Sequence, residues 1–229
     1  MIIGTVVLQS LTSAPLARWL RVQQQRPRGV LIIGANAVAR ALALALQRLD
    51  IPVMLTDSSW EYYRQARMEG IPAWYGNAWS EYAENYLDLS EIAQVLALSP
   101  NRHQNALAVY HFSHIFGAAK VASVRSGSSL AGRRDTESPR FRRHETLFGA
   151  EQTYGHLSVL LAKGATIKAT QLTENFGWLD YLATHSGVIP LFALKESGQL
   201  EIMGNATPPE VPCTLIALVK VENSSNAGH

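Results

Sequence analysis

Residues Gly29–Ser58 read GVLIIGANAVARALALALQRLDIPVMLTDS, and the order of elements in this stretch decides the fold. The apolar run Val30–Ile33 meets a turn of small residues, Gly34-Ala35-Asn36-Ala37-Val38-Ala39. Apolar residues then recur at Val38, Ala41, Leu42, Ala45, Leu46 and Leu49, the spacing of a helix face. A second apolar run, Val53–Leu55, closes on Asp57. Strand, turn, helix and strand, with a carboxylate about 20 residues past the turn, is the pattern of a dinucleotide-binding βαβ unit. Its physical logic is anion capture. A short turn lets backbone N–H groups at the helix N-terminus, here from Asn36 to Val38, face a phosphate that the helix dipole also favours. Asp57 would then accept from a ribose 2′-hydroxyl.

The turn departs from G-x-G-x-x-G/A in its middle. Gly34 and Ala39 keep the first glycine and the last small residue, while Asn36 stands at the central position. Asparagine tolerates unusual backbone angles but adds a side chain where a pyrophosphate would approach most closely. Asn36 therefore either obstructs a dinucleotide or hydrogen-bonds its phosphate.

The alternation of strands and helices continues past Asp57. Trp60–Glu69 reads as a helix stopped by Gly70, and Ala73–Tyr75 as a short strand running into Gly76-Asn77-Ala78. Ser80–Leu87 is helical, Val95–Leu98 is a strand stopped by Ser99-Pro100, His103–Phe116 is a helix ended by Gly117, and Val121–Val124 is the next strand. This rhythm predicts a Rossmann-like, doubly wound parallel sheet over residues 29–125. Ligands in such sheets bind beyond the carboxyl ends of the strands. Gly34, Asp57 with Ser58, Asn77 with Gly76, and Ser99 all fall there.

Composition changes at Ser126–Arg143, SGSSLAGRRDTESPRFRR, which reads as part of a basic linker spanning residues 126–145. Its Arg140, Arg142 and Arg143 either form a solvated face or touch phospholipid or nucleotide. Residues 146–222 predict a smaller α+β lobe: helices at Tyr154–Lys163 and Phe176–Ala183, a strand at Thr166–Thr170, a hairpin of Val188–Leu194 with Leu200–Met203, and a final strand at Thr214–Val221. Residues 223–229 form a tail. At the other end, Met1–Arg28 joins an apolar segment to Arg18, Arg21, Arg26 and Arg28. That order fits either the cytoplasmic end of a last membrane helix, by the positive-inside rule, or an amphipathic helix packed on the globular body.

Several function classes find little support. A net charge of +2 over 229 residues gives no whole-chain case for nucleic acid. The single cysteine, Cys213, excludes an internal disulfide and lies in an apolar run as a packing residue. Zinc-type Cys/His spacing is absent, and His103, His111 and His114 have no carboxylate or cysteine beside them on their helix, so no metal is expected. None of the eight tyrosines is followed four residues later by lysine, so no residue is expected to be catalytic. A nicotinamide-dependent oxidoreductase and a ligand-free assembly module remain as alternatives to a nucleotide sensor.

At three places the residues resemble one family of membrane transport proteins. The phrase TVVLQSLTSAPLAR, Thr5–Arg18, resembles the end of the membrane domain of bacterial sodium/proton exchangers of the cation–proton antiporter superfamily. Residues 29–125 look like the nucleotide-binding half of a regulator-of-potassium-conductance (RCK) domain of the TrkA-N type, and Tyr75-Gly76-Asn77-Ala78 is similar to that family's Y-G-D-A. Leu147-Phe148-Gly149 and GATIKATQLTE, Gly164–Glu174, resemble the C-terminal part of the same exchangers. The resemblance implies a regulatory tail at the cytoplasmic face of the bacterial inner membrane, attached to a transport domain of the same polypeptide and paired as a homodimer. It also implies NAD(H) or AMP, ADP or ATP at the glycine turn. Asn36 for the central glycine and Asn77 for the aspartate are departures, and they leave the ligand, and binding itself, open.

Overall fold

Strand β1 (Gly29–Ile33) is buried along its whole length because it has a neighbour on each edge and a layer on each face. It pairs in parallel with β2 (Val53–Asp57) on one side and with β4 (Ile92–Ala97) on the other. Outside these lie β3 (Ala73–Tyr75) and β5 (Val121–Ser123), which gives the order β3-β2-β1-β4-β5, parallel throughout. The chain first winds outward from β1 through β2 and β3, then returns to place β4 on the opposite edge. The switch point is therefore between β1 and β4.

This computed structural model describes residues 27–125, 147–149, 151–185, 187–204 and 208–220. The apolar and arginine-rich segment before residue 27, the linker with Arg140, Arg142 and Arg143, and the tail at 223–229 lie outside the described residues. Among the described residues no helix is long and apolar enough to cross a membrane.

The faces of the sheet divide by the period of two along each strand. Val30 and Ile32 point to the side covered by α1 (Ala37–Gln47) and α2 (Trp60–Met68). Leu31 and Ile33 point to the side of α3 (Glu81–Tyr86) and α4 (Arg102–Phe116). Alanines at 39 and 43, fully buried, let α1 lie close against the strands.

The second sheet is antiparallel, in the order β6 (Thr166–Leu172), β9 (Cys213–Val219), β7 (Ile189–Lys195), β8 (Leu200–Ile202). Helices α5 (Tyr154–Ala162) and α6 (Trp178–Thr184) accompany it. The parallel sheet followed by a smaller α+β unit is the fold class that the sequence predicts.

The lobe has its own sheet but shares a core with the first. On the α1 face, Leu96, Leu98, Ala122 and Val124 belong to one apolar cluster with Leu147, Leu157, Ile189, Phe192 and Ile216 of the lobe. Helix α1 also packs against α5 and β6. Two helices cover the β1–β3 half of this face, and the lobe covers the β4–β5 half. Phe148 meets Phe192 edge to face at a centroid distance of 5.4 Å, inside this junction. The chain is stitched to the sheet where Leu147 N–H donates to Ser123 O (3.0 Å) and Tyr154 N–H to Arg125 O (3.0 Å).

Element boundaries differ from the sequence expectation in one instructive place. Strand β4 begins at Ile92 rather than at Val95. Its first half is interrupted by Gln94, whose Nε2 donates to Leu200 O of the lobe at 2.6 Å. A polar residue there reads as a strand break in sequence but is an inter-unit contact in the fold.

A shared core predicts shared unfolding. Phe192 is fully buried, so Phe192→Ala should cost about 3–5 kcal/mol. Calorimetry should show one transition, with both sheets melting together, shifted as a whole in the variant. A separate early transition for the lobe would contradict the continuous core.

Candidate functional site

The turn after β1 exists because Gly34 sits at φ +110, where side chains are strained. A Cβ there would also come within 3.1 Å of Asn36 Nδ2 and 3.3 Å of the Leu98 backbone. Gly34 N–H donates to Thr56 O at 2.7 Å, fixing the turn to the end of β2.

Asn36 is the N-cap of α1. Its Oδ1 accepts from Val38 N–H and Ala39 N–H, both at 3.1 Å, and its Nδ2 donates to Leu98 O at 2.8 Å. With 2% of its surface exposed, the side chain is spent on the protein. This revises the picture of free helix amides. The Val38 N–H expected to face a phosphate is capped, and so is that of Ala39. The Asn36 amide, expected either to obstruct or to bind a phosphate, is bonded to Leu98 O just past β4, and the side chain fills the space that a central glycine leaves empty. Ala37 is the one exposed member of that first turn.

Asp57 sits at the end of β2 and is half-buried. Its Oδ2 accepts from Ala35 N–H at 2.7 Å and its Oδ1 from Ser59 N–H at 2.8 Å. A carboxylate has about four lone-pair sites, so each oxygen can accept again. Gly76, at φ +131, donates its N–H to Asp57 O at 2.9 Å and follows Tyr75, the register partner of Asp57. Asn77 is exposed, and its backbone carbonyl accepts from Ser80 Oγ at 2.8 Å while Ser80 caps α3.

These residues frame a small open cleft with a cavity volume of about 80 Å³, below the range of ligand clefts, about 300–1,000 Å³. Gly34, Asp57, Ser58, Gly76 and Asn77 line it, so half of the positions chosen from sequence come together. The capped turn, Asn36 to Ala39, does not line it, nor does Ser99. Ser99 is buried and holds the β4–α4 turn: its N–H donates to Asn105 Oδ1 at 2.9 Å and its Oγ to Gln104 Oε1 at 2.6 Å.

The cleft also contains residues that the sequence reading missed. Thr56, Trp79 and Gln104 line it. Thr56 is 1% exposed, and its Oγ1 has no hydrogen-bond partner among the described residues. The signal was available: a hydroxyl one residue before the strand-end carboxylate, in an otherwise apolar run. Arg40 braces the turn from outside, with Nη1 on Ala35 O and Nε on Glu69 Oε1, both at 2.8 Å.

The groups with shifted pKa values do not line this cleft. Burial, then the neighbouring Tyr62, raises the pKa of Tyr154, and burial also raises that of Tyr181, so neither phenol is activated. Burial likewise pushes the Cys213 thiol up, which suits a packing residue. Among the described residues no group of three or more His, Cys, Asp or Glu could hold a metal ion.

Residues 30–131 match the model of the TrkA-N domain family, which covers the parallel sheet. No curated protein matches the chain. Among solved structures, the chain is similar to the TrkA-N domain of the inner membrane protein YbaL from Escherichia coli, at 21% identity and a TM-score of 0.38, over 42% of this chain and 72% of that one. It is also similar to the GsuK RCK domain, at 12% identity and a TM-score of 0.42, over 87% of this chain and 46% of that one. A third is the GsuK channel bound to NAD, at 16% identity and a TM-score of 0.42, over 95% of this chain and 43% of that one. The chain thus spans less than half the length of either GsuK chain.

The cap assignment is open to test by stability. Asn36→Ala removes the acceptor for two helix amides and the donor to Leu98 O, so it should lower the unfolding free energy by about 1–2 kcal/mol. Urea titration of both proteins would show it as a lower midpoint at unchanged slope. An unchanged midpoint would mean that Asn36 does not cap the helix in solution.

Proposed function

We propose that this chain is a nucleotide-sensing regulatory module of a membrane transport protein. In this reading NAD(H), AMP, ADP or ATP binds at the carboxyl edge of the parallel sheet, and occupancy gates a transport domain of the same polypeptide. The TrkA-N match over residues 30–131 supports the class. The finer assignment is to a monovalent cation/proton antiporter at the cytoplasmic face of a bacterial inner membrane. It rests on the resemblance of Thr5–Arg18 and of the C-terminal lobe to such exchangers. The module works as a homodimer, because two tails tethered to a paired transport domain meet at high effective concentration.

One observation carries the ligand reading: Asp57 faces a cleft at the strand ends with unspent acceptor capacity, beside the orphan Thr56 hydroxyl. A ribose hydroxyl can donate to the Asp57 carboxylate. Coupling follows from where Asp57 stands. The same carboxylate holds the glycine turn through Ala35 N–H and the start of α2 through Ser59 N–H. A ligand that shares Asp57 biases the setting of α1, and α1 packs directly on α5 and β6 of the lobe. The 29–125 unit is then the receiver, the 146–222 lobe the transmitter, and residues 1–28 the connection to the membrane.

Asp57→Asn keeps the shape and one oxygen but loses the charge. Hydrogen bonds to charged groups contribute about 1.5–3 kcal/mol, so affinity for an adenine ligand should fall about 10- to 100-fold by calorimetry. Unchanged affinity would refute the ribose assignment. The protein should also leave NADH unoxidised with a panel of carbonyl substrates, since no Tyr, Lys or His lines the cleft among the described residues. Steady loss of the cofactor's absorbance would favour an oxidoreductase instead.

A further inference from the structure

We propose that the exposed face of α3 is the docking surface for residues 16–26 of the same chain, the segment that leads into β1. The proposal stands apart from the cleft and does not depend on which ligand the cleft takes.

The face is aromatic. Trp74 of β3 and Tyr82 and Tyr86 of α3 form a row of rings with centroid distances of 5.7 and 4.6 Å. Tyr82 and Tyr86, one helical turn apart, are 63% and 66% exposed. Ala83 and Leu87 bury the other side of the helix, so α3 is held to the sheet without the two tyrosines. Large exposed aromatics in a contiguous row mark an interaction surface.

The face is also acidic. From Met68 to Asn101 the sequence holds Glu69, Glu81, Glu84, Asp88 and Glu91 and no lysine, arginine or histidine. Glu81, Glu84 and Asp88 are exposed, and His111 Nε2 approaches Glu84 Oε1 only to 3.9 Å. The chain as a whole carries a charge of +2, so this face has the opposite sign. The aromatic cluster on the other side of β3, where Trp60 meets Tyr63 and Tyr75, is flanked by Arg64 and Arg67 as well as Glu61, and its charge selects no partner.

Charge and position together name the occupant. Residues 16–26, LARWLRVQQQR, carry Arg18, Arg21 and Arg26 with no carboxylate, and Leu16, Trp19, Leu20 and Val22 stand among them. Guanidinium groups pair with carboxylates and stack on Tyr and Trp rings, so this composition matches the face on both counts. The path of the chain agrees. Gly29 N–H donates to Glu91 O at 2.8 Å, so the residues before β1 leave the sheet beside the 87–91 loop in which α3 ends. A segment tethered so close meets the face at high effective concentration, and contacts that are individually weak suffice.

The test is hydrogen–deuterium exchange of the whole chain, read by mass spectrometry. Amides of residues 18–26 should exchange about tenfold or more slowly than their intrinsic rates. Tyr82→Ser with Tyr86→Ser should speed them about fivefold or more, while β1 and β4 stay as protected as in the wild type. Glu81→Gln, Glu84→Gln and Asp88→Asn together should act in the same direction, as should about 1 M salt. Arg18→Gln with Arg21→Gln reads the contact from the other side, without touching the sheet, and should speed exchange at residues 84–87. Residues 18–26 exchanging at intrinsic rates in the wild type overturn the proposal, as does exchange at residues 84–87 that the arginine variant leaves unchanged. Protection of residues 18–26 that disappears on dilution assigns the face to a second copy and overturns docking within one chain.

Discussion

The structure depends on how the turn Gly34–Asn36 is pinned between two strands that diverge from β1. On one side Gly34 N–H and Ala35 N–H reach Thr56 O and the Asp57 carboxylate at the end of β2. On the other, the Asn36 amide reaches Leu98 O, just past β4. The switch point opens a gap at that spot, and backbone groups facing it have no ladder partner. Each buried polar group left unsatisfied costs about 1–3 kcal/mol, so these bonds decide whether the turn holds its shape. They also fix where α1 begins, and through α1 the position of the lobe.

Asp57 consequently belongs to the fold and to the site at once. Its two bonded amides make it a structural carboxylate, and its remaining lone pairs can accept further hydrogen bonds. That double use would be a physical route from occupancy to conformation. A ligand can shift an equilibrium only by binding two states unequally. In the proposed reading, the carboxylate that would meet the ligand also holds the turn, and Phe192, Ile216 and Leu157 of the lobe share one apolar cluster with Val30 and Leu42.

Legibility in the sequence follows the range of each interaction. The run Val30–Ile33, the glycine at 34 and the carboxylate at 57 are local patterns, and they fix the parallel sheet. The hairpin around Lys195–Gly198 is equally local, and Gly198 takes the positive φ its turn needs. Asn36 is different. Its side chain suits a phosphate or a helix cap, and Leu98 O, 62 residues away, resolves the choice. Thr56 reads as a β-branched strand residue, and that its hydroxyl is orphaned shows only once the neighbours are placed. The shared core is the largest non-local fact. A change in composition at residue 126 marks a boundary, but nothing in it says that the β4–β5 face of the sheet lacks a helix and must take the lobe as its cover.

The chemistry of the cleft is therefore best read through what its sequence withholds. Where the resembled family carries an aspartate in Y-G-D-A, this chain has Asn77, exposed at the rim, so Asp57 is left as the single charge. Where the dinucleotide pattern has a second glycine, Asn36 fills the space and consumes its amides. The first change removes a carboxylate from the rim, and the second closes the space that a central glycine leaves open.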